Sequence, residues 1–534
     1  MYDYIVIGAG SAGCVLANRL SANPKHRVAL IEAGGKDTAT AIHMPLGVGR
    51  TLSDPKLSWN LFSGDEPFAH NRNVFLPRGK VLGGSSSLNG MIYIRGQQED
   101  FNTWAQLGCL GWGWDDLLPY FKKSEDFQHG ESDLHGAGGE LHVADIIHDN
   151  PTNHIMLKGF EEYGIPRNDD FNGHSQEGAG YYQVTIKDGK RCSTAVGFLK
   201  PARKRKNLDV LTGARVHKIN IENGRAHSVT LARRGKIETL VAHQEIILSA
   251  GAYHSPHILH LSGIGDAAHL SSIGITPVLD RPEVGENLQD HYMAPMAFRI
   301  KSGVYSYNKE LRGLNIAKNV IHYLLTRKGV MSIPAAQIGA FIKSDPALDR
   351  PDLQYHCLAI TGDLETALDG KMNEVCKTPG LTIGGAMLRP ESKGYARAVN
   401  ADQNAKPHIV HNYLAEEEDR RLTILAMRMA RDIVATPSLS DIIEEEDLPG
   451  MQAMSDDELL DFSKQYGTTL YHPIGTCRMG NDENAVVDPS LRLRGIDGLR
   501  VIDASIMPKL VSGNTNAATI AIAEKGADLI LQSA

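Results

Sequence analysis

Short apolar runs closed by glycine clusters recur along the chain, between longer stretches whose apolar residues return every three or four positions. Tyr4 to Ile7 is the first run and meets Gly8-Ala9-Gly10-Ser11-Ala12-Gly13; Val28 to Ile31 is the second and ends on Glu32 and Ala33. Brief apolar runs bounded by glycine read as buried strands. Met91 to Ile94 and the run from Glu245 to Ala250 read the same way, the latter followed by a glycine turn and a helix opened by Pro256. Helical spacing appears in the segment from Arg421 onward, preceded by Glu416 to Asp419 as an acidic first turn, and in a last helix reaching Leu531. A second acidic run, Glu444 to Asp447, leads into Pro449-Gly450 and reads as a solvated loop. Leu311, Leu314, Ile321, Leu324 and Leu325 form an apolar stripe among Lys309, Arg312, Lys318, Arg327 and Lys328. Such a helix suits a membrane surface or the rim of a substrate entrance, and the plainer expectation is a surface helix packed on the body.

Composition narrows the class. A chain of 534 residues, 42% hydrophobic, buries a large core and has room for two to four domain-sized units. Its net charge of −8 argues against a nucleic-acid protein. No window approaches the ~18 apolar residues of a membrane span, and no basic leader precedes the first apolar run, so the expected compartment is the cytoplasm. Six scattered cysteines with no CxxC pair read as reduced thiols rather than a disulfide or zinc framework.

Three glycine segments carry candidate chemistry. In the first, Gly8 begins a tight turn, Gly10 leaves the backbone open to a pyrophosphate, and Gly13 lets the next helix lie close on the strand. Glu32, nineteen residues beyond Gly13, ends the second strand, where a carboxylate accepts from ribose hydroxyls; together these predict an adenine dinucleotide. The second segment, Arg78-Gly-Lys-Val-Leu-Gly-Gly-Ser-Ser-Ser-Leu-Asn-Gly90, concentrates free backbone N–H groups and hydroxyls, enough to wrap a phosphate or a ring edge. The third runs from Gly251 to Gly265 and puts His254, His257 and His260 on one helical stripe; with no acidic residue near, it is read as structural, and no metal site is expected. No GxSxG turn supports acyl transfer.

In order and spacing, these segments resemble the glucose–methanol–choline (GMC) oxidoreductases, FAD enzymes that oxidise alcohols, and the likeness continues through Val284-Gly-Glu-Asn-Leu-Gln-Asp-His291 to the C-terminus. It is strongest to bacterial choline-dehydrogenase-like and acceptor-dependent alcohol dehydrogenases. The resemblance implies an α/β fold: a Rossmann-like FAD-binding domain built from residues 1–150, 190–295 and 465–534, and an α+β substrate domain with an antiparallel sheet from 151–189 and 296–464. It places FAD against Gly8, Gly10, Ser11, Ala12, Gly13, Glu32 and Ala33, then Trp59, Arg78, Gly79, Val81, Gly84, Ser85, Asn89, Gly90, Met91 and Ile92. Further contacts are expected from Val216, Ala250, Gly251, His254, Tyr471, Asp503, Ala504 and Asn516.

His472, in Tyr471-His-Pro-Ile-Gly475, matches the family's general base, and Asn514 matches the position that holds the substrate oxygen. The expected reaction takes a primary alcohol to the aldehyde by hydride transfer to the flavin, with a quinone or another acceptor reoxidising it. Relatives that bind FAD covalently do so through a histidine just before the asparagine of the second loop; Leu88 stands there, so non-covalent FAD is expected. A neutral aliphatic or aromatic alcohol is the first expectation for substrate, with choline or a polyol second. An oxygen-using oxidase and a hydroxynitrile lyase with structural FAD remain open, as does peripheral contact at the inner membrane face.

Overall fold

The computed structural model describes residues 1–371 and 374–533. The glycine-bounded runs form the centre of a parallel sheet ordered Leu208–Leu211, Val28–Ile31, Tyr2–Ile7, Lys236–Leu248 and Leu499–Val501. The strands are buried on both faces and read as near-continuous apolar runs, as parallel strands covered by helices do. Helices Ser11–Leu20 and Asn516–Gln532 pack on one another over this sheet, sharing a core with Ile5, Leu30 and Leu248. Lys236–Leu248 extends beyond the parallel ladder, and its first half pairs antiparallel with Arg225–Arg233, which pairs in turn with Ala214–Glu222.

Register brings the strand ends together. Ile7 lies opposite Ile31 and Leu248, Ile31 opposite Leu211, and Leu248 opposite Val501. The Gly8 turn, Glu32, the Gly251 turn and Asp503 therefore all emerge at one edge. In open α/β sheets that edge, outside the carboxyl ends of the strands, is where ligands bind.

A second sheet is antiparallel, ordered Ile443–Leu448, Tyr292–Ile300, Gly380–Met387, Leu353–Leu358, Ile338–Ile342 and Gly178–Tyr181. Side chains alternate between its faces. Ala294, Met296, Phe298 and Ile300 join Tyr355, Ile383 and Met427 in a core with helices Pro151–Glu162 and Glu417–Val434, while Met293 and Pro295 face the other way. Strand Tyr292–Ile300 lies wholly in this sheet and crosses the 295/296 boundary expected from sequence, and Thr468–Thr469 pairs with its first residues.

Two elements differ from the sequence reading. Glu444 to Asp447 is not a loop but part of the edge strand Ile443–Leu448. Its acids are matched by cations: Arg299 donates to Glu445 (2.8 Å) and Asp447 (2.6 Å), and Arg431 to Glu446 (2.8 Å). A charged edge also resists pairing with other strands. Met91 to Ile94 forms no regular strand, because Met91 has φ +65° and the run keeps a single bridge, Ile92 to Val184. The acidic run at 416–419 does open a helix, although Asp419 is buried and accepts from the Glu391 and Ser392 amides at 2.9 Å each. Among the described residues, no helix is long and apolar enough to cross a membrane.

Candidate active site

A cavity of ≈ 1060 Å³ runs from the edge of the parallel sheet to the open face of the antiparallel one. The first glycine turn forms one wall. Gly8 has φ +99°, and a Cβ there would sit 2.4 Å from the Ser249 carbonyl oxygen; at Gly13 a Cβ would fall 1.8 Å from the Gly8 oxygen. Both are glycine because backbone passes too close for anything larger. Gly10 differs: a Cβ there would meet only Gly84 Cα, at 3.9 Å, and otherwise point into open space. Glu32 accepts from the Ala9 amide (3.1 Å) and the Gly34 amide (2.7 Å), while burial pushes its carboxyl up to about 7 against those two donors.

The second glycine loop packs against the first. Gly84 has φ +51°, and a Cβ on it would come 2.6 Å from Gly10 Cα. Arg191, buried and unnoticed in the sequence, donates to Asn89 Oδ1 (2.6 Å), to the Ser86 carbonyl (3.2 Å) and to the Ile42 carbonyl (2.9 Å), which sets the path of the loop. Leu88 is buried beside Ile42 and Val81 and also reaches the cavity. The third segment is tied to the C-terminal one by Asp503, whose carboxylate accepts from the Gly251 amide (2.8 Å), Ser255 Oγ (2.6 Å) and the Ser505 amide (2.8 Å). Ser11 Oγ donates to Asn516 Oδ1 at 2.7 Å, which binds the two helix N-termini together.

The expected cofactor contacts therefore converge. Gly8, Gly10, Ser11, Ala12, Glu32 and Ala33 line the cavity with Arg78, Gly79, Gly84, Ser85, Asn89, Gly90, Met91 and Ile92. So do Trp59, Val216, Ala250, Gly251, His254, Tyr471, Asp503, Ala504 and Asn516. Gly13 and Val81 do not. Gly13 is consumed by helix–strand packing, and Val81 is buried with its backbone bridged to Gly35. Of the three-histidine stripe, His254 lies against Trp59 at 4.4 Å between ring centres and lines the cavity with His257, while His260 hydrogen-bonds the Val284 carbonyl at 3.0 Å. Three buried polar atoms on the cavity wall have no hydrogen-bond partner, namely Ser249 Oγ, His257 Nε2 and Asn514 Oδ1. Open glycine backbone at one part of an elongated cavity and orphaned polar atoms along it suit a dinucleotide cofactor.

His472 sits where the cavity meets the antiparallel sheet. Its residue is 7% exposed, its backbone N–H donates to Asp290 Oδ1 (2.8 Å), and Tyr413 and Thr469 hold Asp290 Oδ2 at 2.7 and 2.5 Å. Tyr471, just before it, is held at φ +67°, with its amide donating to Thr469 Oγ1 (2.6 Å) and its carbonyl accepting from Arg78 (2.9 Å). Such a conformation costs of order 1–3 kcal/mol and persists only where its surroundings impose it.

The ring of His472 is fixed on both sides. His291 Nε2 faces the Leu388 carbonyl at 3.0 Å and must carry a proton to donate to it. Neutral His291 then has a lone pair on Nδ1, which lies 2.9 Å from His472 Nδ1, so His472 carries its proton there. His472 Nε2 is left unprotonated and accepts from Asn514 Nδ2 at 3.0 Å, which accounts for Asn514 Oδ1 being the orphaned atom of that amide. Burial, then the neighbouring His291, His356 and Arg78, holds His472 well below its ordinary value; burial lowers His291 too. The site thus presents a neutral imidazole whose Nε2 accepts from Asn514, both residues lining the cavity. His291 was within reach of sequence reading only as the last residue of the Val284–His291 segment, which gives no sign that it meets His472, 181 positions away.

Known proteins resemble the chain over its whole length. The GMC oxidoreductase family profile matches residues 2–293 with its N-terminal part and 390–523 with its C-terminal part. The chain is 43% identical to an alcohol dehydrogenase [acceptor] from Pseudomonas putida, over 100% of this chain and 96% of that one. It is 39% identical to an oxygen-dependent choline dehydrogenase from Vibrio vulnificus, over 99% and 94%. Among solved structures, a variant of formate oxidase from Aspergillus oryzae, described for its FAD modification, superposes with a TM-score of 0.92 at 26% identity, covering 100% of this chain and 98% of that one.

Proposed function

Since the chain belongs to the GMC oxidoreductase family, whose cofactor is FAD, we propose that it oxidises a neutral primary alcohol to the aldehyde, with His472 as general base. The single observation behind this reading is the neutral His472 imidazole, its Nε2 paired with Asn514 at the cavity wall. When bound, FAD supplies the acceptor for the hydride leaving the alcohol carbon. The alcohol hydroxyl replaces the direct hydrogen bond between His472 and Asn514, donating to Nε2 and accepting from the Asn514 amide N–H. His472 takes the hydroxyl proton on Nε2 while its Nδ1–H stays on His291, so the resulting imidazolium keeps a partner in a buried site.

The part of the wall given by the antiparallel sheet suits a neutral substrate: it contributes Met293, Pro295 and Leu358, with Met331 and Ile360, and burial holds His356 down to about 4. The carboxylate and aromatic rings that a trimethylammonium group would want are present elsewhere on the same cavity, as Glu374, Phe75 and Tyr466, which keeps choline as the second reading. The name of the Pseudomonas putida relative favours a separate electron acceptor for reoxidation, which we read as a quinone or another carrier. We read FAD as bound without a covalent link, since Leu88 occupies the attachment position. We read residues 1–150, 190–295 and 465–534 as the cofactor part and 151–189 and 296–464 as the substrate part, except that strand Tyr292–Ile300 belongs whole to the substrate sheet. The enzyme is read as cytoplasmic, with peripheral contact at the inner membrane face.

The test is His472→Ala. It should remain yellow, yet its flavin should be reduced by alcohol ~10²–10⁴-fold more slowly. An unchanged rate under anaerobic stopped-flow would remove His472 from the mechanism.

A further inference from the structure

Helix Gly313–Thr326 carries two apolar stripes, and the fold uses one of them. Ile316 and Val320 line the cavity, and Tyr323 is buried, its hydroxyl donating to the Gly189 carbonyl at 2.9 Å. The other stripe, Leu314, Ile321, Leu324 and Leu325, is 89, 58, 44 and 80% exposed. A surface helix that met only water would be polar on that side. Lysines flank the exposed stripe: Lys309 precedes the helix, Lys318 lies on it and Lys328 follows it, whereas Arg312 donates to the Val375 carbonyl (2.7 Å) and Arg327 lies over the Tyr323 ring. The one acidic residue between positions 309 and 328, Glu310, is engaged with Asn319 Nδ2 at 3.0 Å. This cluster stands out on a chain of net charge −8.

We propose that the outer face of this helix docks on an anionic lipid bilayer. Exposed leucines enter the boundary between headgroups and acyl chains while the flanking lysines meet the anionic headgroups, the arrangement of interfacial helices. Charge complementarity selects this occupant, because a second copy docking through the same face would set Lys318 and Lys328 against their own like charges, whereas anionic headgroups neutralise them. With Ile316 and Val320 on the opposite side, the docked helix stands between the cavity and the lipid. The inference gives a surface to the peripheral contact proposed above and rests on that reading, while the alcohol chemistry is tested separately.

The experiment uses the full FAD-loaded protein and sucrose-loaded vesicles of phosphatidylcholine alone or mixed with phosphatidylglycerol. The protein should sediment with the mixed vesicles, less so at high salt, and little with phosphatidylcholine. The L314S/L325S double variant should lose roughly tenfold or more in partitioning, and K318E/K328E should lose the preference for anionic lipid. Both should still be bleached by a short water-soluble alcohol at the unaltered rate, which shows that they are folded. Failure of the unaltered protein to bind the mixed vesicles, or equal binding by the double variant, overturns the proposal. So does a dimer in sedimentation velocity that L314S/L325S dissolves, since the stripe would then be covered by a second copy.

Discussion

Replacing His291 by leucine removes the acceptor for His472 Nδ1–H and leaves His472, Asn514 and the cofactor loops in place. A buried donor without an acceptor costs about 1–3 kcal/mol. That cost falls on only one of the two neutral tautomers of His472. The ring is driven toward the form protonated on Nε2, and Asn514 can answer by turning its orphaned Oδ1 toward it. In that form no lone pair faces the alcohol. At about 1.4 kcal/mol per tenfold, the base-competent population falls by roughly 5- to 150-fold. The assay is anaerobic stopped-flow reduction of the flavin by a primary alcohol. His291→Leu should lower the limiting rate by roughly 10- to 100-fold, with flavin content and the half-saturating alcohol concentration little changed. His291→Asn, whose side-chain oxygen can accept from Nδ1–H, should recover part of the loss. A His291→Leu protein that stays yellow and reduces its flavin at the original rate would refute the tautomer argument.

Three other outcomes follow from the geometry. Gly10→Ala should fold with unchanged thermal stability, because its Cβ meets nothing closer than Gly84 Cα at 3.9 Å, yet it should bind FAD at least about tenfold more weakly in apoprotein reconstitution; retained affinity would remove Gly10 from the cofactor site. Acid denaturation should release all yellow colour from the polypeptide, since Leu88 offers no histidyl attachment, and colour that stays with the chain would contradict non-covalent binding. Burial holds His254 and His260 down to about 3 and His257 and His356 to about 4, so below their ordinary value of 6.5 the unfolded chain binds more protons than the folded one. Stability from these groups is complete above that value and is lost as pH falls toward 4, so the urea midpoint at about pH 5 should lie below that at about pH 7.5; equal midpoints would show that other groups compensate.

What the sequence made legible was local. Gly8, Gly10, Glu32 and the Gly84 loop could be read because strand, turn and helix lie within a few residues, and glycine is demanded by close backbone approach. The stripe at Leu314, Ile321 and Leu325 was visible too, but periodicity does not tell which side of a helix the body covers. Glu444 to Asp447 misled because four successive acids carry no strand signature; their cations, Arg299 and Arg431, come from other elements. Val81 was taken for a contact because it lies inside a binding loop, although its side chain turns into the core. The His291–His472 pair was beyond reach, since it arises when a strand of the second sheet arrives beside a C-terminal segment. His472 was identified by family likeness, and its protonation state came from a partner that no local pattern names.

An alcohol bound in this cavity should lose a proton to His472 and a hydride to the flavin. The most direct measurement mixes the oxidised, FAD-loaded protein with aliphatic and aromatic primary alcohols in the absence of oxygen and follows the yellow absorbance. At least one neutral primary alcohol should bleach the flavin, and adding a quinone should restore the colour. If none of the alcohols bleaches the flavin while dithionite does, the cofactor is structural and the protein does not oxidise alcohols.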